Sequence, residues 1–181
     1  MLNNEQRSFL LKTARQSIEA HLNASREPSL SPEPDPVLQE KAGVFVSLHQ
    51  AGELRGCIGC LEPVYPLLEA VRRMAVEAAV SDPRFSSLAL SDLPAVKIEI
   101  SVLSRPEKVS GPEKITIPGD GVIVRCGYRS GVFLPQVADE TGWDRETFLS
   151  MLCSHKAGLP PDAWRDKSTE LYTFQAEVFS E

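Results

Sequence analysis

Alternation of apolar and polar side chains in two separate stretches is the feature that most limits how this chain can fold. In residues 96–102 the apolar residues fall at every second position, and residues 44–49 follow a similar pattern. Successive side chains of a β-strand point to opposite faces, so a period of two predicts strands with one buried face and one wet face. Strands of that kind are typical of antiparallel sheets. The two stretches therefore predict a mainly antiparallel sheet.

Helical spacing predicts helices that flank this sheet, which makes the fold class α+β. Asn3 and Gln6 have the spacing of a capping box, and apolar residues continue at helical spacing to about His21. Residues 66–80 present a second apolar face. This helix should end before Pro83, because proline disfavours helical backbone in the residue that precedes it.

The C-terminal half adds shorter elements. We predict a hairpin over residues 121–134, a short helix from Pro135, a longer helix capped at Asp144 and a closing strand over residues 172–178. Trp143, which precedes the cap, is assigned to packing against Phe148.

The 181 residues are predicted to form a single domain with three parts. These parts are an N-terminal helix (1–25), a proline-rich loop (26–37) and the α+β body (38–181). The prolines of the loop suit neither a helix interior nor a central strand.

Charge and composition exclude several classes of protein. The chain has 25 acidic and 19 basic side chains, a net charge of -6, which argues against binding to a nucleic-acid backbone. No apolar run approaches the roughly 20 residues of a membrane span. The N-terminal residues lack the basic and apolar regions of a signal peptide, and four cysteines without such a signal are expected to be reduced thiols. We therefore expect a cytoplasmic protein.

The segment Leu-Arg-Gly-Cys-Ile-Gly-Cys at residues 54–60 is the predicted functional site. A turn at residues 50–53 places the thiol on the return strand of a hairpin or just past its end, and if the segment is extended Arg55 and Cys57 share one face. A guanidinium near a thiol favours the thiolate, so Cys57 is a candidate nucleophile and Arg55 its activator. Gly56 and Gly59 leave room beside the thiol and are candidate ligand contacts.

The same segment has other interpretations. Cys57 and Cys60 have the spacing of a redox dithiol or half of a zinc site. A turn would bring them close enough for a disulfide and an extended strand would not, so the sequence leaves their pairing open. Zinc would need a second close pair of ligands, and the available residues are scattered: His49, Cys126, Cys153 and His155. We therefore predict no metal and no cofactor.

Two further residues are candidate ligand contacts. Arg84 follows Asp82-Pro83 in a stiff turn, where it could fix a carboxylate or phosphate or merely pair with Asp82. Gln136 lies in the first turn of the helix opened by Pro135, where it could offer its amide to a ligand or cap the helix.

Motifs along most of the chain support a family resemblance. They are, in order, Leu54-Arg55-Gly56-Cys57-Ile58-Gly59, Asp82-Pro83-Arg84-Phe85, Leu134-Pro135-Gln136-Val137-Ala138, Trp143-Asp144, Lys156-Ala157-Gly158-Leu159-Pro160 and Trp164. Together they resemble the AMMECR domain family, whose prokaryotic members are called AmmeMemoRadiSam system protein A. In relatives the position of Cys60 is more often a small residue without a thiol, so no role for a Cys57/Cys60 pair is carried over.

The resemblance implies a single domain of two unequal lobes with the Arg-Gly-Cys-Ile-Gly segment beside a cleft. It also implies partners among Memo-like and radical-SAM proteins, and no established reaction. We expect a protein that binds a small ligand or a partner's modified group in that cleft. The alternatives are a thiol-dependent enzyme with Cys57 as nucleophile and a protein-interaction module without catalysis. The sequence leaves the oligomeric state open.

Overall fold

The computed structural model describes residues 1–24 and 35–181. The chain divides into two compact units, each described by itself. The first unit comprises Met1–Leu103 and Glu177–Glu181, and the second comprises Ser104–Ala176. The chain order of the elements is α1 (Asn4–Leu22), α2 (Pro36–Gln39), β1 (Gly43–Gln50), β2 (Glu53–Cys60), α3 (Leu67–Val80), β3 (Val96–Leu103), β4 (Glu107–Val109), β5 (Gly121–Cys126), β6 (Arg129–Phe133), α4 (Gln136–Thr141), α5 (Arg145–Met151), β7 (Glu170–Phe174) and β8 (Ala176–Ser180). The predicted α+β class is confirmed.

The two long helices of the first unit follow the sequence signals. The capping box is present, since the Gln6 N–H donates to Asn3 Oδ1 at 2.9 Å and the Asn3 N–H donates to Gln6 Oε1 at 2.8 Å. α3 follows Pro66 and ends at Val80, two residues before Asp82. Residues 25–34, which include most of the predicted proline-rich loop (26–37), lie outside the described residues. Near the end of that loop Asp35 caps the short helix α2.

The sheet of the first unit has the strand order β2-β1-β3-β8. β1 pairs antiparallel with β2 and with β3, as the alternation predicts. One face of the sheet packs with α1 and α3 into the core of this unit. The fully buried side chains there include Leu10, Ile18, Val44, Val46, Leu48, Val71, Ile98 and Ile100. β2 is left as an edge strand.

The second unit is built on a separate sheet, in the order β4-β7-β5-β6. The hairpin β5–β6 is confirmed, and the Asp144 side chain caps α5 by accepting from the Thr147 N–H at 2.8 Å. A π-helix, Leu152–Ala157, continues α5. The core centres on Phe148. Trp143 is half-buried and lies 6.2 Å from the ring of Phe133, which in turn lies 5.2 Å from Phe148.

The single closing strand predicted over residues 172–178 is wrong. Gln175 divides it into β7 and β8, which belong to different sheets. The reason lies in the backbone of Gln175, whose N–H donates to Ser104 Oγ at 2.9 Å and whose carbonyl accepts from the Ser104 N–H at 2.9 Å. Alternation runs through both strands, so periodicity alone does not reveal the break. Among the helices of the described ranges, none combines the length and the apolar character that crossing a membrane requires.

Candidate functional site

Cys57 lies in the middle of the edge strand β2, opposite Ser47 of β1. The backbone N–H of Cys57 donates to Asp82 and its C=O accepts from Arg84, so neither group bonds to β1. Cys57 and Ser47 therefore form a non-hydrogen-bonded pair of the two strands. Side chains approach closely in such pairs. Here Ser47 Oγ lies 3.1 Å from Cys57 Sγ and can donate to it. Cys57 itself is half-buried.

A buried carboxylate holds the open edge of β2 at Cys57. Asp82 Oδ2 accepts from the Cys57 N–H at 2.8 Å and from Arg84 Nη2 at 2.7 Å. Asp82 Oδ1 accepts from the Arg84 N–H at 3.1 Å and from Arg84 Nε at 3.0 Å. Arg84 Nη2 also lies 3.3 Å from the Cys57 carbonyl oxygen. The turn after α3 therefore satisfies both outward backbone groups of Cys57.

The electrostatics of this cluster follow from its contacts. The hydrogen bond from the Arg84 side chain holds the pKa of the Asp82 carboxyl well below its usual range. Burial opposes this shift, and the backbone N–H groups of Cys57 and Arg84 reinforce it. Conversely, the hydrogen bond to Asp82 raises the pKa of Arg84, and a negative charge at Cys57 adds a smaller contribution. The cluster thus holds a carboxylate and a guanidinium as a fixed ion pair.

Arg84 combines a fixed orientation with exposure to solvent. Its side chain is 56% exposed, whereas that of Asp82 is 2% exposed. Nε and Nη2 bond to Asp82, and in the part of the chain that the structure describes Nη1 has no hydrogen-bond acceptor. The guanidinium also lies 5.4 Å from the centre of the Phe85 ring. Arg84 therefore presents two N–H donors of Nη1 beside the residue that carries the thiol.

Arg55 lies at an irregularity of the same strand. The register passes from the pair Leu48–Gly56 to the pair His49–Leu54, so Arg55 is the extra residue of a β-bulge. Its Nη2 lies 3.4 Å from both Ser86 Oγ and the Ser87 carbonyl oxygen. The guanidinium that bonds to the backbone of Cys57 is consequently that of Arg84.

The two glycines of the segment allow close packing within the protein. A Cβ at Gly56 would lie 2.2 Å from the Ala78 carbonyl oxygen of α3, and a Cβ at Gly59 would lie 2.3 Å from Cγ of Phe45. Contacts that short force a neighbour to move. The space that these glycines leave is therefore occupied by α3 and by β1, through the Phe45 ring and the Val44 carbonyl oxygen. Leu54, between the turn and the bulge, is 38% exposed.

The remaining candidates are distributed over both units. Cys60 packs against the core of the first unit, and all four cysteines are free. Gln136 lies in the first turn of α4 in the second unit. No group of three or more His, Cys, Asp or Glu residues in residues 1–24 and 35–181 is arranged to hold a metal ion.

Sequence reasoning missed the central role of Asp82. The sequence predicts a turn residue that can pair with Arg84, but the contact between Asp82 and Cys57 joins residues 25 positions apart. The available signal was its place directly before proline in a turn, combined with an arginine two residues later. Nothing in that spacing indicates which strand the carboxylate meets.

Comparison with known proteins extends the sequence resemblance to the whole chain. The model of the AMMECR1 family matches residues 11–179. A protein of Pyrococcus furiosus is 44% identical over 190 residues, which cover 99% of this chain and 90% of the relative. A protein of Methanopyrus kandleri is 47% identical over 186 residues, which cover 98% of this chain and 89% of the relative.

A solved structure has the same fold. The crystal structure of an uncharacterized protein from Pyrococcus horikoshii matches with a TM-score of 0.91 and 44% sequence identity. The match covers 99% of this chain and 93% of the other. The similarity therefore includes both units and the segment that carries Cys57.

Proposed function

This chain belongs to the AMMECR1 family, and we propose that it binds a small ligand or a partner's modified group through an anionic group that pairs with Arg84 beside Cys57. The ligand would lie at the cleft that the family resemblance implies for the Arg-Gly-Cys-Ile-Gly segment. Recognition, rather than a reaction, is the proposed role.

The observation that carries the proposal is the arrangement of Arg84. A guanidinium matches the geometry of a carboxylate or a phosphate, and its planar donors bind such groups in pairs. Binding normally costs the entropy of ordering a long side chain. Here two bonds to the buried Asp82 carboxylate already fix the guanidinium, and Nη1 still points its donors elsewhere.

The partners in this proposal come from the family resemblance. Memo-like and radical-SAM proteins are the classes that it implies, and a modified group on such a partner would present the anion. The four free cysteines fit a reducing compartment, so we place the protein in the cytoplasm as part of the same proposal.

Affinity selection from a cell extract tests the proposal. Immobilised wild type, Arg84→Gln and Arg145→Gln are incubated with the extract, and bound small molecules and proteins are identified by mass spectrometry. Arg145 is the matched control because its guanidinium bonds only to backbone carbonyls of the second unit, those of Glu113 and Ile115, among the described residues. We expect an anionic species that wild type and Arg145→Gln retain and Arg84→Gln loses. Equal retention by all three variants would contradict the proposal.

One contact favours a second candidate function, a thiol-dependent reaction at Cys57. Ser47 Oγ at 3.1 Å could stabilise a thiolate by donating to Sγ. His49, two residues along β1 and so on the same face, has an Nε2 atom that is shielded from solvent without a hydrogen-bond partner in the described part of the chain. The variant Cys57→Ala distinguishes the two candidate functions. If the protein only binds its ligand, the variant still retains that ligand, and if the protein is an enzyme, the variant loses the reaction.

A further inference from the structure

The second unit contains a cavity of its own, with a volume of about 740 Å³. Small-molecule sites typically have volumes of about 300–1,000 Å³. The walls are formed by residues 108–112, at and after β4, and by residues 164–171, which lead into β7. Arg125 and Gly127 complete the lining. None of these residues belongs to the cluster around Cys57.

The cavity is basic although the protein is acidic. The chain has a net charge of -6. The lining nevertheless carries four basic side chains, Lys108, Arg125, Arg165 and Lys167, and two acidic ones, Asp166 and Glu170. A concave surface with an excess of positive charge concentrates anions.

The contacts of the charged groups show which of them face a ligand. Lys108 Nζ pairs with Glu170, which also accepts from the Tyr172 hydroxyl at 2.9 Å, so this carboxylate is held in the wall. Arg165 pairs with Glu146, outside the lining, at 2.9 Å. Lys167 has no ion pair with any described residue. Its ammonium group can therefore pair with a bound anion without breaking an ion pair.

The lining of the cavity also contains hydroxyl groups. Ser110, Ser168 and Thr169 line the cavity. Thr169 Oγ1 is shielded from solvent and has no hydrogen-bond partner among the residues that the structure describes. Because Thr169 Oγ1 is shielded, the hydroxyl groups that a ligand can reach are those of Ser110 and Ser168, which are exposed.

We propose that this cavity binds a small molecule carrying a phosphate group. A phosphate has three terminal oxygens and close to two negative charges at neutral pH, and it accepts several charge-assisted hydrogen bonds at once. Lys167, Lys108 and the hydroxyls of Ser110 and Ser168 supply such donors. A carboxylate, with two oxygens and one charge, would use fewer of them. The site is independent of the one proposed at Arg84.

Titration of the isotope-labelled full chain with inorganic phosphate, followed by NMR of the backbone amides, tests this assignment. We expect saturable shifts at the amides of residues 110, 111, 168 and 169, and weaker shifts with acetate at equal ionic strength. The double variant Lys108→Gln/Lys167→Gln should bind phosphate at least about tenfold more weakly. Lys114→Gln, which removes an exposed lysine outside the lining, should bind as wild type does.

Several results would overturn the assignment. These are the absence of saturable shifts at those amides, equal affinity for acetate, or unchanged affinity in the double variant. Arg84→Gln separates the two sites. If it abolishes the phosphate response while the double variant retains it, phosphate binds beside Cys57 and the cavity proposal fails. If Arg84→Gln leaves the response intact and the double variant weakens it, the cavity proposal stands whatever the fate of the proposal at Arg84.

Discussion

Replacing Asp82 by asparagine should destabilise the first unit by disrupting the cluster at Cys57. Each oxygen of the carboxylate accepts two N–H groups: Oδ1 those of Arg84 N and Nε, and Oδ2 those of Cys57 N and Arg84 Nη2. Whichever oxygen the asparagine replaces by its NH2 group, the two N–H groups that bonded to that oxygen then face another hydrogen-bond donor. Hydrogen bonds to charged groups contribute about 1.5–3 kcal/mol each. Because Arg84 is half exposed and its bonds are screened by solvent, we expect a total loss of about 2–4 kcal/mol.

Urea denaturation followed by far-ultraviolet circular dichroism measures this loss. For a chain of this size a loss of 2–4 kcal/mol corresponds to a fall in Tm of about 5–15 °C. Asp139→Asn is the matched control, because Asp139 is exposed on α4. Wild-type stability in Asp82→Asn, within about 0.5 kcal/mol, would refute the reasoning that this carboxylate holds the edge strand.

The same comparison has a defined dependence on pH. The pKa of Asp82 is lowered in the folded state, so its contribution is fully present above the unfolded pKa of about 3.9 and is lost as the pH falls below it. The difference in stability between wild type and Asp82→Asn should therefore be constant near neutrality and shrink below about pH 4. A difference that grows on acidification would contradict the assigned direction of the pKa shift.

Three other predictions follow from packing and exposure. Gly56→Ala and Gly59→Ala should each cost about 3 kcal/mol, since a Cβ at Gly56 meets the Ala78 carbonyl oxygen at 2.2 Å and one at Gly59 meets the Val44 carbonyl oxygen at 2.5 Å; urea denaturation measures both losses, and a loss below about 1 kcal/mol in either variant would contradict the reasoning. Trp143→Ala should cost about 2–3 kcal/mol, below the value for a fully buried tryptophan, and Cys57→Ala about 1 kcal/mol or less; equal losses would make Cys57 a core residue. Cys57 should react with iodoacetamide faster than Cys153, whose pKa burial raises; peptide mass spectrometry gives the rates, and faster labelling of Cys153 would exclude an accessible thiol at Cys57.

Local sequence patterns predict those elements of the fold that depend on contacts between residues close together in the sequence. The capping box of α1, the end of α3 before Asp82 and the alternation of β3 depend on neighbours within a few residues. The division of the last strand depends instead on a contact between Gln175 and Ser104, which are 71 positions apart. Periodicity carries no information about such a contact.

The candidate site shows the same limit. The sequence located Cys57 on the return strand of a hairpin, and the structure places it there. It could not show that a bulge occurs at Arg55, because register depends on the partner strand. Nor could it show that Gly56 makes room for the backbone of α3, since that approach is a tertiary contact.

The most direct test of the account compares an anionic with a neutral thiol reagent at Cys57. Both reagents react with the thiolate, so the fraction of thiolate drops out of the ratio of the rate constants for iodoacetate and iodoacetamide. The ratio then reports how strongly the surroundings of the thiol attract an anion. A unit charge about 4 Å away in water contributes about 1 kcal/mol, which corresponds to roughly a fivefold change in this ratio. The account predicts that Arg84→Gln lowers the ratio at Cys57 about that much, that added salt reduces the difference, and that the ratio at Cys126 stays constant. An unchanged ratio at Cys57 in Arg84→Gln would contradict an anion-binding guanidinium beside the thiol.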